Sequence, residues 1–337
     1  MTQVIDPKLV PKKTLYTGEQ IPCIGMGTFG SDRFTPQEVA DAVAGAIRCG
    51  YRMFDCASVY GNEDLIGAVF AKAIDEGVVK RDELFITSKV WNDMHGPGDV
   101  LISAAKSLKD LQIDVIDAYF VHWPFPNYHA PGCDGDARNP DSVPFSVEGF
   151  MSTWRQMERL HDMGLVRNIG MSNMTIPKLE AVLPLCRIRP TLIEMELHPC
   201  FQQKELFDYC MNEKIQVIGF CPIGSPTRPD RDKFEGDVAD TSVPAVVEIA
   251  KAHNVHPAII CLKWSIQKGA VPIPFSVYEA EYVSNLRCTT ETPLSDAEMK
   301  IMEGADCNCR LVKGQVFLWE GAKGWEDLWD LDGVIVK

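Results

Sequence analysis

From Ile24 to about Asn308, short β-branched or aromatic runs alternate with segments whose apolar residues recur every three or four positions. That alternation marks parallel strands joined by crossover helices. It predicts strands at Ile24–Gly27, Met53–Asp55, Leu84–Lys89, Ile116–His122, Val166–Met171, Leu192–Leu197, Gln216–Cys221 and Val271–Pro274. The first helix has Thr35 as cap, Pro36 at its first position, Glu38 at the capping-box position and Gly50 past its end. Further helices are predicted near 63–76, 99–111, 147–163, 176–183, 202–212, 242–253 and 279–286.

Eight strand-helix units in succession fit an α/β fold of the (β/α)8 TIM-barrel type, which takes about 250 residues plus insertions. The barrel is expected over about 24–290, within a single domain covering 1–337. Before it, the polar Thr17-Gly-Glu-Gln20 centre between apolar flanks reads as an N-terminal β-hairpin over Thr14–Cys23, placed to close the barrel's bottom. Two long segments stand out. Residues 123–146 are rich in Pro, Gly, Asp and Asn, and the tail over 306–337 carries Phe317, Trp319, Trp325 and Trp329. Long segments of this kind in compact domains are functional or disordered, and the aromatics argue against disorder. The tail is expected to lie over the substrate pocket.

Composition agrees with a soluble globular protein. The 337 residues are 46% hydrophobic and 24% charged, enough for a sizeable core. Forty-seven acidic against thirty-three basic residues give a formal charge of -14, which repels phosphate backbones and anionic lipids, so neither nucleic acid nor a membrane is an expected partner. The twelve cysteines are too sparse for a disulfide scaffold and read as reduced thiols. Cys307 and Cys309 lack the further ligands of a zinc site, so no metal is expected. The stretch Met1–Tyr16 has no apolar core of a signal peptide, and no window of 18 residues is uninterruptedly apolar, which points to the cytoplasm.

The segment Gly25-Met-Gly27-Thr-Phe-Gly30 spells a dinucleotide fingerprint after a strand. In a Rossmann turn the last glycine opens the helix, whereas here Ser31–Thr35 separate Gly30 from it, and the Rossmann reading fails on that context. On a barrel, reactive groups gather at the C-terminal ends of the strands. Asp55, Lys89 and His122 end the second, third and fourth strands, and Tyr60 follows in the second loop. Singly, each has an ordinary structural explanation. Together they form machinery for carbonyl reduction: an ammonium lowers the pKa of a phenol, a carboxylate holds the ammonium, and an imidazole fixes the carbonyl oxygen.

With these residues in view, the chain resembles the aldo-keto reductase family from about Thr14 to Leu286, in particular its xylose and aldose reductase branch. The resemblance rests on Gly25-Met-Gly27-Thr-Phe29, Asp55-Cys-Ala-Ser-Val-Tyr60-Gly-Asn-Glu63, Thr87-Ser-Lys89-Val-Trp91, Val121-His122-Trp-Pro124, Gly164 to Ser172-Asn173, and Glu196-Leu-His-Pro199. It implies a nicotinamide enzyme with Tyr60 as general acid/base, Asp55 and Lys89 tuning it, and His122 orienting the carbonyl. It also implies that Ser172 and Asn173 bind the carboxamide and that Phe220 stacks on the ring. The remaining implied cofactor contacts are Gly27, Thr28, Phe29, Asp55, Glu194, Cys221, Ile223, Ser225, Phe275, Ser276, Glu281 and Asn285.

Two departures matter. Glu194 stands where the family usually has glutamine, and a carboxylate accepts from an amide but donates only when protonated. After the eighth strand, Phe275 and Glu281 replace the lysine and arginine that embrace the 2'-phosphate in NADP-preferring relatives. A carboxylate repels that phosphate and accepts from a ribose hydroxyl, so NAD(H) is the expected cofactor, with NADP(H) possible if Arg228 or Arg287 compensates. Phe29, Val59, Trp91, His122, Trp123 and Trp319 are expected to line the substrate pocket. Aldoses, sugar-derived ketones, polyols and aromatic aldehydes all fit such a pocket in either direction of reaction, and the family branch implies a monomer or homodimer. The competing readings are a nicotinamide-binding regulatory subunit with slow turnover, and a non-redox barrel that leaves Ser172, Asn173 and Phe220 unexplained.

Overall fold

The computed structural model describes residues 4–128, 139–226, 228 and 230–336. The chain opens with the hairpin of β1 (Lys12–Thr14) and β2 (Gln20–Pro22), antiparallel with Lys13 opposite Ile21. Eight parallel strands follow in sequence order: β3 (Met26–Gly27), β4 (Met53–Asp55), β5 (Phe85–Val90), β6 (Ile116–Val121), β7 (Val166–Ser172), β8 (Leu192–Glu196), β9 (Gln216–Phe220) and β10 (Val271–Pro272). The Gly25 and Gly27 amides donate to the Pro272 and Pro274 carbonyls at 3.0 Å, joining the last strand to the first and closing the barrel. Pro272 and Pro274 have no N–H to return, so this seam is bonded in one direction only. That is why β3 and β10 are shorter than the predicted Ile24–Gly27 and Val271–Pro274.

The helices are α1 (Pro36–Cys49), α2 (Glu63–Asp75), α3 (Asp99–Asp110), α4 (Val147–Asp162), α5 (Ile176–Val182), α6 (Lys204–Asn212), α7 (Pro244–His253), α8 (Pro257–Lys268), α9 (Glu279–Arg287) and α10 (Asp296–Glu303). The capping box of α1 forms as expected, with the Thr35 amide donating to Glu38 at 2.7 Å and the Glu38 amide to the Thr35 hydroxyl at 3.3 Å. Five residues do separate Gly30 from that helix, so no Rossmann turn forms. Two helices escape the sequence reading. Residues 259–265 of α8 are all buried, which erases the polar face that amphipathic periodicity needs. In α10 only Met302 is buried, and its one local signal is the Ser295–Glu298 capping box.

One core lies between sheet and helices and a second fills the barrel, where Met53, Phe85, Phe120, Leu192, Ile218 and Val271 pack together. Leu15 and Ile21 of the hairpin join that inner cluster, so the hairpin plugs the bottom as predicted. Gly170 of β7 lies opposite Phe120 of β6, and a Cβ there would stand 2.3 Å from the Phe120 ring and 2.9 Å from the Leu192 carbonyl oxygen. Glycine is therefore what lets the ring lie flat inside the barrel. Gly170→Ala is expected to cost about 1–3 kcal/mol, as overpacking does, read as a lower urea midpoint with unchanged slope; an unchanged midpoint would contradict this packing.

Candidate active site

Three neighbouring strands and one turn deliver the reactive side chains to the C-terminal rim. Asp55 ends β4, and its carboxylate accepts from the Thr87 hydroxyl at 2.6 Å. Two residues beyond Thr87 on the same face of β5, Lys89 turns into the barrel and is 1% exposed. Its Nζ donates to both Asp55 oxygens at 2.7 Å and to the Cys56 carbonyl at 3.0 Å. The Tyr60 hydroxyl lies 3.4 Å from the same nitrogen. Tyr60 is carried by a 3-10 turn, Ser58–Tyr60, that ends at Gly61 with φ 65° and is tied down by the Ser58 hydroxyl donating to the Lys89 carbonyl at 3.1 Å. His122 follows β6, its amide donating to the Val90 carbonyl at 3.2 Å, and its ring stands edge-on to Tyr60 with centroids 6.0 Å apart.

Burial governs the protonation of this cluster. It pushes the Tyr60 phenol above its ordinary range; Lys89 pulls the other way, while Asp55 and Glu194 add to the rise. The pull of an ammonium on a phenolate at this distance is roughly 5 kcal/mol at an effective dielectric of 20. It still loses, so the sequence argument that Lys89 lowers the Tyr60 pKa holds for the pairwise effect and is overturned in the net. Tyr60 is a protonated acid at neutral pH. Burial opposes the charge of Lys89, but Asp55, Glu194 and Tyr60 together hold its pKa well above the ordinary value. His122 is held well below its usual range by burial, Lys89 and His95, and is neutral.

The predicted cofactor residues lie on the same rim. Gly27, Thr28 and Phe29 leave β3, with the Thr28 hydroxyl donating to the Asp55 carbonyl at 2.8 Å. Ser172 ends β7 opposite Glu194 of β8, and Asn173 follows with φ 57°, its amide donating to the His122 carbonyl at 2.9 Å and to the Ser172 hydroxyl at 3.1 Å. Phe220 ends β9 half-buried, and Cys221, Ile223 and Ser225 run on from it, with Cys221 and Ser225 in left-handed conformations. Phe275 and Ser276 follow β10, whereas Glu281 and Asn285 sit in α9. Asn173 Oδ1 and Glu194 Oε1 are buried without a hydrogen-bond partner. Two orphaned oxygens beside the Ser172 hydroxyl, a step from Lys89, fit a primary amide such as the carboxamide of a nicotinamide.

The expected pocket residues also converge. Phe29 and Val59 remain exposed at the mouth, and the Phe29 ring is 5.3 Å from that of Tyr60. Trp91 stands edge-on to His122 at 4.9 Å. Trp123 and Trp319 are buried in one aromatic cluster with Phe125, Phe317 and Trp329. The tail ring that meets both tryptophans is Phe317, 5.9 Å from Trp91 and 4.6 Å from Trp123.

Comparison with known proteins settles the family. A sequence profile described as the Aldo/keto reductase family matches residues 23–306. The chain belongs to the aldo-keto reductase family. It is 40% identical to an aldo/keto reductase of Synechocystis sp., covering 94% of this chain and 95% of that protein. It is 35% identical to aldo-keto reductase family 1 member A1-A of Danio rerio, covering 93% and 95%. Its fold superposes on the crystal structure of a Bombyx mori aldo-keto reductase in complex with NADP, with a TM-score of 0.80 and 28% identity over 92% of this chain and 96% of that one. As an aldo-keto reductase the chain is an NAD(P)-dependent oxidoreductase acting on carbonyls and alcohols. No helix among its described residues is long and apolar enough to cross a membrane.

Sequence reasoning missed what fixes the tail of this reductase over the rim. His198 is fully buried between Glu196 at 3.0 Å and Asp240 at 2.9 Å. Glu196 in turn accepts the amides of Leu311 and Val312 at 2.7 and 2.9 Å. Arg310 lies 3.5 Å from the centre of the Trp329 ring, and Lys178 forms a buried ion pair with Asp330. The one sequence signal was the polar Glu196-Leu-His198 pair at the end of a buried strand. Burial opposes the charge on His198, but hydrogen bonds and charge from Asp240 and Glu196 raise its pKa from 6.5 to about 9. A folded-state pKa above the unfolded one gives stability that is complete below about 6.5 and lost as pH rises through about 9. Urea denaturation across that window is expected to show the loss in the wild type and a flatter profile in His198→Gln; parallel profiles would contradict a charged His198.

Proposed function

We propose that the chain interconverts a small carbonyl compound and its alcohol, with Tyr60 as the general acid/base, NAD(H) as the preferred cofactor and NADP(H) as the weaker one. The observation that carries this reading is the Tyr60 hydroxyl 3.4 Å from a buried ammonium that is itself bound by Asp55, with neutral His122 alongside. When bound, the nicotinamide supplies the hydride for reduction and accepts it in oxidation. The protein's own residues handle the proton. In reduction, His122 donates a hydrogen bond to the carbonyl oxygen, and Tyr60 passes its proton to that oxygen as charge builds there. Lys89 then stabilises the phenolate left behind, and Asp55 keeps the ammonium in place. In oxidation the same phenolate takes the proton back. Asn173, Ser172 and Glu194 would hold the carboxamide, and Phe220 would stack on the ring.

The NAD(H) preference is supported by the surroundings of Phe275 and Glu281. Glu281 accepts from the Ser276 hydroxyl at 2.7 Å, and Phe275 packs against Phe34 with ring centroids 5.9 Å apart. Two cations that could compensate have other partners: Arg228 pairs with Asp237 and Arg287 donates to Glu291 at 2.9 Å. The aromatic and aliphatic walls from Phe29, Val59, Trp91, Trp123 and Trp319 support a small organic substrate. We read barrel and tail as one domain, working in the cytoplasm as a monomer or homodimer.

Two outcomes test this. NADH should bind more tightly than NADPH, and a Phe275→Lys, Glu281→Arg double variant should reverse the order by about tenfold, worth roughly 1.4 kcal/mol; tighter NADPH binding by the wild type would refute the preference. Tyr60→Phe should lower kcat by about 10²–10⁴ with cofactor affinity retained in fluorescence titration, and retention of kcat would remove Tyr60 from its role.

A further inference from the structure

The residue at position 194 departs from the family's glutamine, and its surroundings set its chemistry. Glu194 is 2% exposed, and Asp55 and Lys89 are 3% and 1% exposed, so water is not there to solvate a second anion. Lys89 gives Asp55 two hydrogen bonds at 2.7 Å, while its distance to Glu194 Oε2 is 3.5 Å. The neighbouring elements bring Asp55 on β4, Lys89 on β5, Tyr60, His122, and Cys221 after β9. Among these residues Lys89 is the cation, and its nearest carboxylate is Asp55. The Asp55 and Glu194 carboxyl groups thus stand on either side of one buried ammonium, at 2.7 and 3.5 Å from it. Two carboxyl groups buried on a single ammonium hold one proton between them, because two negative charges there cannot both persist against one positive charge without water.

We infer that the Asp55–Glu194 pair carries a proton at neutral pH, which makes Glu194 a neutral carboxylic acid with the one-donor, one-acceptor polarity of the amide it replaces. Its hydroxyl then lies at Oε2, on the side of Lys89 and Asp55, and the orphaned Oε1 is left to accept from a carboxamide N–H. Burial and the Asp55 charge raise the Glu194 pKa well above its ordinary value against the pull of Lys89, in the same direction. The buried cluster of Lys89, Asp55, Glu194 and Tyr60 is thereby neutral overall.

A consequence separates this residue from glutamine, and it rests on the nicotinamide reading above. The oxidised ring carries a positive charge and the reduced ring does not. A cation seated beside Glu194 favours its ionised form, so binding NAD+ draws the proton from the carboxyl to solvent, whereas binding NADH leaves it in place. Glu194 thus acts as a positioning residue that links the redox state of the cofactor to proton release before chemistry.

Infrared difference spectra of the free protein, wild type minus Glu194→Gln at neutral pH, are expected to show the carbonyl stretch of a protonated carboxylic acid, lost in the variant. Absence of that band would overturn the inference. Calorimetric titration in buffers of different ionisation enthalpy is expected to show proton release with NAD+ and not with NADH, retained in Tyr60→Phe and lost in Glu194→Gln. Equal proton release in wild type and Glu194→Gln would overturn the link. Failure of both nucleotides to bind while the infrared band is present would count against the cofactor reading and leave the shared proton supported.

Discussion

Everything at the rim depends on a charge that a barrel interior would ordinarily reject: the Lys89 ammonium, 1% exposed, held by Asp55. A lone buried ammonium sheds its proton rather than stay charged. Here two short bonds to one carboxylate and one to the Cys56 carbonyl make the charge permanent. Strand register fixes this pairing, because Asp55 of β4 lies opposite Thr87 of β5, which bonds the same carboxylate and places Lys89 two residues on. The ion pair therefore needs a closed parallel barrel, and the barrel closes through the two glycine amides at the proline seam.

A second set of buried charges does a different task. The His198 imidazolium between Glu196 and Asp240, and Lys178 with Asp330, join the ends of β8 and the start of α5 to the tail and the loop after β9. Glu196 receives two tail amides, so the same carboxylate that balances His198 orders the chain leading to Phe317 and Trp319. Removing either partner of such a pair strands a charge without water, which is strongly destabilising even where the intact pair contributes little. The tail is thus held over Trp91 and Trp123 by specific electrostatics as well as by aromatic packing.

How much of this the sequence reveals follows from the range of each interaction. Alternating strand and helix patterns are local, so the barrel, the hairpin and the rim positions of Asp55, Lys89 and His122 are readable. The α8 helix is not, because burial along residues 259–265 leaves no periodicity to detect. The contacts between Glu196 and Leu311, or Lys178 and Asp330, join residues more than a hundred positions apart, and only the folded topology brings them together. Residue type alone also misjudges Tyr60: a lysine nearby predicts a lowered pKa, and burial of the phenol reverses the sign.

The central claim is that the Lys89 ammonium acts directly on the Tyr60 proton. Ultraviolet difference titration against Tyr60→Phe isolates the phenolate signal of that tyrosine. In an Asp55→Asn, Lys89→Met background, which removes both charges together, its ionisation should move to higher pH than in the wild type. An unmoved titration would mean that the amine and the phenol do not interact, and the proposed proton path would have no basis.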